Sequence, residues 1–192
     1  VLIGHAASLP PPAEVATRKC YLLDRRDVKG RPVVFTHVER HDPATSPLDQ
    51  TTRFVVYRLK EAETMLAPAG SAPGATTFSV VFDLGGAKAQ NVDVKLVQRF
   101  IFILTNFYPE RLGVMCLLDA PGFFLPFCWP LIKPFLNPAT RDKVKFVSSR
   151  AAPGSEESLT GWVGRECLPR ALGGEQEPEQ PAVGAPAAPA AS

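Results

Sequence analysis

Three short blocks of β-branched and aromatic residues punctuate the chain: Pro32–Val38, Thr77–Asp83 and Gly113–Asp119. None alternates cleanly between apolar and polar. Each reads as a strand, and the second and third as strands covered on both faces, as in a parallel sheet. Between the blocks the period lengthens. A helix is expected from about Leu48 to Thr51 onward, with Val55, Leu59, Ala62 and Leu66 spaced four, three and four apart. A second helix, capped by Asn91 or Asp93, carries Val97, Phe100, Ile101, Leu104 and Phe107 on one stripe. A third amphipathic piece spans Phe123–Phe135, followed by a short strand, Val144–Val147. Strands alternating with helices predict an α/β domain with a mostly parallel sheet and flanking helices.

The most apolar part, Tyr108–Leu136, invites reading as a membrane span. Asp119, Lys133 and prolines 121, 126, 130 and 134 interrupt it. The uncharged run Ala120–Ile132 is shorter than the roughly 20 residues a spanning helix needs. Its apolar surface therefore belongs to a core, a partner interface or an apolar ligand.

At 192 residues, 45% hydrophobic and 21% charged, the chain can build one sizeable core, and its net charge of +2 gives no field that would draw nucleic acid. It opens on Val, which suits a processed chain or a fragment, and VLIGHAASLPPP lacks the features of a signal peptide. Cys20, Cys116, Cys128 and Cys167 are scattered and read as free thiols of a reducing compartment. The expected organisation is an irregular segment 1–14, a domain over 15–174 and a disordered Pro/Ala-rich tail over 175–192, with a surface loop at 67–75.

Candidate chemistry is sparse. His37 and His41 have a spacing used by zinc, but no further ligands stand nearby, so no metal is expected. No nucleophile elbow, dinucleotide fingerprint or phosphate loop occurs, so no enzyme and no cofactor are expected. Asp83 and Asp119 end successive strands, a position suited equally to stabilising a turn or lining a site. Arg141, Lys143, Lys145 and Arg150 form a basic run beside the apolar stretch, a pairing that suits a lipid headgroup or membrane surface.

Several motifs together resemble one family. Tyr108-Pro109-Glu110-Arg111-Leu112, Ala120-Pro121-Gly122-Phe123-Phe124, Lys133-Pro134-Phe135-Leu136 and Thr140-x-x-Lys143 closely resemble the Sec14-like (CRAL-TRIO) lipid-binding domain. Gly30-Arg31-Pro32-Val33, Val81–Gly86 and Leu168–Gly174 match its other motifs in order, so the likeness covers about residues 20–174. The resemblance implies a sheet floor and a helical gate around an apolar pocket, without the N-terminal helical lobe that full-length transfer proteins carry. It implies a monomer that binds a phospholipid, specifically phosphatidylinositol, and transfers or presents it. Such a protein would be cytoplasmic and peripherally membrane-associated. The alternatives are a scaffold with a vestigial pocket, or a carrier of another small hydrophobic ligand. By that resemblance Glu110, Lys143 and Thr140 contact the headgroup. Phe82, Phe100, Phe123, Phe124, Trp129, Ile132 and Phe135 form pocket and gate, the gate helix running from Trp129 to Leu136. Two local departures stand out: Phe78 occupies a position where headgroup-binding members can have a hydroxyl, and Pro126 and Pro130 fall in the gate. An interior helical proline costs about 3 kcal/mol, so a later start or a kink is expected. Sequestering a lipid chain at about 0.8 kcal/mol per methylene, on the order of 10 kcal/mol in all, demands an enclosed apolar cavity.

Overall fold

The computed structural model describes residues 9–66, 76–172 and 174–175. The predicted loop at 67–75, most of the first fourteen residues and the tail beyond 175 fall outside the described residues. Among the described residues, no helix is long and apolar enough to cross a membrane.

A five-stranded sheet forms the centre, its strands side by side in chain order. β1 (Cys20–Leu22) runs antiparallel to β2 (Val33–His37). β3 (Phe78–Asp83), β4 (Leu112–Leu118) and β5 (Val144–Val147) continue parallel to β2. The four predicted strands are therefore present, with ends moved by a residue at most. β1 was not legible as a strand, because three residues carry too little pattern. A helical turn, α1 (Pro12–Ala16), lies across the expected boundary of an irregular N-terminal segment.

The continuous apolar runs are split by the pleat into two cores. Val34, Val80, Met115 and Leu117 face one cluster; Val33, Phe35, Val81, Val114, Cys116 and Leu118 face the other. Two long helices cover the first face, α2 (Leu48–Thr64) and α3 (Val94–Phe107). Crossovers between parallel strands are right-handed, and here each steps to the next strand in the same direction, so both helices fall on one face. Turns from Leu159 to Leu168 cover the other, burying Leu159, Val163, Cys167 and Leu168.

α2 buries Phe54, Val56, Leu59 and Ala62, whereas Val55 and Leu66 of the predicted stripe are only partly covered. On α3, Asp93 is the cap, its Oδ1 accepting from the Leu96 amide at 3.0 Å. Asn91 instead ties loops together: Nδ2 donates to the His41 carbonyl at 2.8 Å, and Oδ1 accepts from the Lys88 amide at 2.8 Å. Phe107, expected on the buried stripe, is exposed at the end of α3 and packs edge-on against Phe102, 6.2 Å between ring centres.

The gate differs most from expectation. The helix expected from Trp129 to Leu136 does start at Trp129 but lasts only one turn, and no unbroken helix runs through the amphipathic piece Phe123–Phe135. In its place stand a wide π-type turn at Phe124–Cys128, one turn of α-helix, α4 (Trp129–Ile132), and a tight 3-10 turn at Lys133–Phe135. Prolines 126, 130 and 134 fall one in each piece, and each removes an amide donor from the helical ladder. Amphipathicity survives the breaks. Phe124, Cys128 and Ile132 point inward at intervals of four, while Leu125, Phe127, Leu131 and Phe135 face out. A five-residue helix, α5 (Pro138–Asp142), capped by Asn137, leads into β5.

The turn predicted at Asp27–Gly30 is pinned to the sheet. Asp27 Oδ1 accepts from the amides of Lys29 (2.8 Å) and Arg31 (3.0 Å), and Oδ2 accepts from Arg31 Nε and Ser79 Oγ, both at 2.6 Å. Arg31 then lies over β4 so closely that a Cβ on Gly113 would sit 2.5 Å from its Nη1. Only glycine fits there.

Candidate functional site

Between the sheet and α2, α3 and the gate lies a cavity of about 140 Å³, counted as the space open to the centre of a water molecule. A single water needs about 10–15 Å³ on that measure, and protein interiors are otherwise close-packed. The space is thus an order of magnitude larger than a packing defect. Val34, Val80, Phe82, Met115 and Leu117 form its floor. Phe54 and Leu59 line it from α2, Val97, Phe100 and Ile101 from α3, and Phe124, Trp129, Ile132 and Leu136 from the gate. Phe82 and Phe100 meet edge-to-face at 5.5 Å, bracing floor against wall.

Of the residues expected in pocket and gate, Phe82, Phe100, Phe124, Trp129 and Ile132 line this cavity. Phe123 packs on the core beside it without reaching the wall, and Phe135 points outward. Trp129 also contacts Phe146 of β5 edge-on, ring centres 5.2 Å apart.

Glu110 and Lys143 meet outside the cavity wall. Glu110 occupies a left-handed backbone position, φ 56°, at the turn entering β4. Its carboxylate lies 3.6 Å from Lys143 Nζ, with side chains 90% and 29% exposed. Such a pair is screened by water and binds its partners loosely. Thr140 lies next to it on α5, its carbonyl accepting from the Lys143 amide at 3.1 Å. The three expected headgroup residues therefore gather at the end of the sheet where β4 and β5 begin.

At the other end of the sheet, where β2 and β3 finish, lies a buried polar cluster that the sequence did not announce. Lys19 Nζ pairs with Glu14 Oε2 at 2.7 Å, both side chains almost fully buried. It also reaches His41 Nδ1 at 3.1 Å and Ser46 Oγ at 3.2 Å. Thr51 Oγ1 donates to the other Glu14 oxygen at 3.1 Å. Lys19, His41, Thr51, Asn91 and Asp93 all border the cavity here. Burial and then the Lys19 charge push the His41 pKa below its ordinary value. In the sequence Lys19 sits between Arg18 and Cys20 like any surface cation, and no spacing links it to Glu14 or His41.

The remaining candidates have structural partners. His37 Nδ1 lies 3.1 Å from Asp83 Oδ2 and its Nε2 3.2 Å from the Tyr21 hydroxyl, so His37 and His41 serve separate clusters. Asp83 Oδ1 also accepts from the Gly85 amide at 3.0 Å. Asp119 accepts from Ser148 Oγ (3.0 Å) and the Ser149 amide (2.9 Å). Of the two roles open to these aspartates, both hold turns. All four cysteines are buried and free, and burial raises their pKa values, Cys116 to about 12 and Cys167 to about 11.

Comparison with known proteins places this geometry in context. The profile of the CRAL/TRIO domain matches residues 16–174. Phosphatidylinositol transfer protein CSR1 of Eremothecium gossypii is 28% identical over 151 residues, covering 79% of this chain and 32% of that protein. Phosphatidylinositol/phosphatidylcholine transfer protein SFH7 of Arabidopsis thaliana is 32% identical over 145 residues, 69% of this chain and 26% of that one. SEC14 cytosolic factor of Candida glabrata is 34% identical over 111 residues, 56% and 35% of the respective chains. The chain thus spans about a third of the length of these relatives. Among solved structures, Sfh5 superposes with a TM-score of 0.71 at 17% identity, over 90% of this chain and 59% of that one, a likeness of fold.

Proposed function

The chain belongs to the CRAL/TRIO domain family, and from that premise we propose that it is a non-enzymatic carrier which holds a phospholipid, phosphatidylinositol first among them, in the cavity under the gate. The single observation that carries this reading is the partly open, almost wholly apolar space of about 140 Å³ between sheet, α2, α3 and gate. An ordinary core would have closed such a space, since each unfilled contact forfeits dispersion energy. The names of the relatives as phosphatidylinositol transfer proteins point the same way.

In this reading the acyl chains displace the solvent or void under Phe124, Trp129 and Ile132, and the gate opens to admit them. A segment broken into three short pieces by prolines has few continuous backbone hydrogen bonds to lose on moving. Its outward residues Leu125, Phe127, Leu131 and Phe135 would enter the membrane surface during exchange, from the cytoplasmic side. Lys143 would then meet a headgroup phosphate while Glu110 accepts from ring hydroxyls.

The test is loading from vesicles of phosphatidylcholine containing phosphatidylinositol, read by native mass spectrometry. Phosphatidylinositol adducts are expected. Protein that remains apo at every lipid concentration would overturn the reading. Lys143→Ala is expected to reduce phosphatidylinositol loading several-fold and leave phosphatidylcholine loading nearly unchanged, and equal loss of both would make Lys143 structural.

A further inference from the structure

The end of the gate is fastened by a side chain whose charge is left unused. Arg141 stands in the last turn of α5, and its Nη2 reaches back to the carbonyls of Lys133, at 3.4 Å, and Leu136, at 3.2 Å. These carbonyls bracket the 3-10 turn Lys133–Phe135 that ends the gate. Leu136 is buried and lines the cavity, so the contact holds the gate down where it joins α5. Both distances exceed the usual value of about 2.9–3.0 Å, so both bonds are weak. A guanidinium is a planar fork of N–H donors whose shape matches a phosphate. Among the described residues only Nη2 of Arg141 is engaged, with neutral acceptors, and Nε is buried without a hydrogen-bond partner.

The surface beside it suits a membrane of one sign. Over Phe123–Leu136 the gate carries one charge, Lys133, and no acid. Lys133 is exposed between the outward residues Leu131 and Phe135. Asp142, next to Arg141 in the chain, is exposed to solvent, and Lys143 faces Glu110. We propose that Arg141 is the latch of the gate and that the phosphate of an anionic phospholipid surface releases it, so that the gate opens preferentially on negatively charged membranes. On contact the guanidinium exchanges two long bonds to neutral carbonyls for charge-assisted bonds to phosphate, which are roughly twice as strong. The Lys133 carbonyl keeps the Leu136 amide, 3.2 Å away, and the Leu136 carbonyl turns to water as the gate lifts. This latch rests on the carrier reading, in which the gate moves, and adds the group that senses where it moves. Glu110 and Lys143 would choose the cargo, and Arg141 the membrane.

Cys128 faces inward on the gate and Cys116 lies in the core behind the sheet, both buried and free, so one thiol reports on the gate and the other on the fold. Delipidated protein is treated with N-ethylmaleimide, and labelling at each cysteine is followed by peptide mass spectrometry. Arg141→Met is expected to label about five-fold faster at Cys128, the worth of one ordinary hydrogen bond, and no faster at Cys116. No acceleration, or equal acceleration at both thiols, would overturn the latch. Inorganic phosphate is expected to change the native rates little, since a free ion brings no surface for the apolar face of the gate to enter. An acceleration by phosphate equal to that of Arg141→Met would overturn the lipid surface as trigger. Uptake of a pyrene-labelled phosphatidylcholine from saturating vesicles is then timed, with and without phosphatidylglycerol. The native chain and Lys133→Met are expected to load several-fold faster from the anionic vesicles, and Arg141→Met equally fast from both. A preference kept by Arg141→Met or lost by Lys133→Met would overturn the proposal. Failure of the native chain to take up lipid from any vesicle would overturn the carrier reading and the trigger with it, whereas normal uptake indifferent to phosphatidylglycerol would overturn the latch alone.

Discussion

Val80 and Val81 are neighbours on β3 whose side chains point to opposite faces of the sheet, and enlarging each in turn separates a cavity from a packed core. Val80 lies between Val34 and Met115 in the cavity floor. Val81 is 0% exposed in the other core, between Phe35 and Cys116. Val80→Phe projects a ring into the empty space. The added side chain buries about 50 Å² more apolar surface, which at about 25 cal/mol per Å² stabilises the delipidated protein by about 1 kcal/mol. Val81→Phe has no such space, and overpacking of this kind costs about 1–3 kcal/mol. The two variants should therefore move in opposite directions, separated by about 2–4 kcal/mol. Urea unfolding of delipidated protein reads the difference. In melting temperature, 1 kcal/mol corresponds to a shift of about 2–4 °C for a chain of this size. Phosphatidylinositol loading of Val80→Phe should fall at least ten-fold, because the ring occupies the lipid's place. Destabilisation of Val80→Phe with loading intact would refute the reasoning, since it would mean that the floor is packed and any lipid binds elsewhere.

Two further outcomes follow from the buried polar cluster. Lys19→Met leaves the Glu14 carboxylate buried without its cation, and is expected to cost about 3–5 kcal/mol by denaturant unfolding, whereas the double variant with Glu14→Met should recover most of the loss. His41 has its pKa lowered by burial and by Lys19, against weaker opposing pulls from Asp93 and Glu14, so the folded state holds fewer protons than the unfolded chain just below the ordinary histidine value of about 6.5. Its contribution to stability is complete above that pH and is lost as the pH falls from there toward the lowered folded value. Unfolding free energies measured from pH 7.5 to 5 should drop more steeply for the native chain than for His41→Phe, and parallel curves would contradict the assignment.

The gate shows where a linear pattern stops being informative. Of the gate residues expected at the pocket, Phe124, Trp129 and Ile132 line it, whereas Phe123 stops short of it and Phe135 faces out, so the linear pattern indicates the inward side only in part. The same residues cannot reveal three separate pieces, since the accommodation of Pro126, Pro130 and Pro134 is decided by what they pack against. Glu110, Lys143 and Thr140 were legible from motifs, and the chain does gather them. Glu14, Lys19 and His41 were not, because a charge that will be buried looks like any other until its counter-charge is brought to it.

The sequence alone determined the four parallel strands, the two long helices and their chain order, but not the short β1. Those follow from local periodicity and from turn residues such as Asp27 and Gly30, which act within a few positions of themselves. It also carried enough local motifs to indicate the family. Only the tertiary structure decided that the apolar surface of α2, α3 and the gate does not close completely over the sheet, and that a buried polar cluster around Lys19 borders the space left. A cavity belongs to no residue. It is the difference between the volume that several elements enclose and the volume their side chains fill, and that difference exists only once distant segments have been brought together.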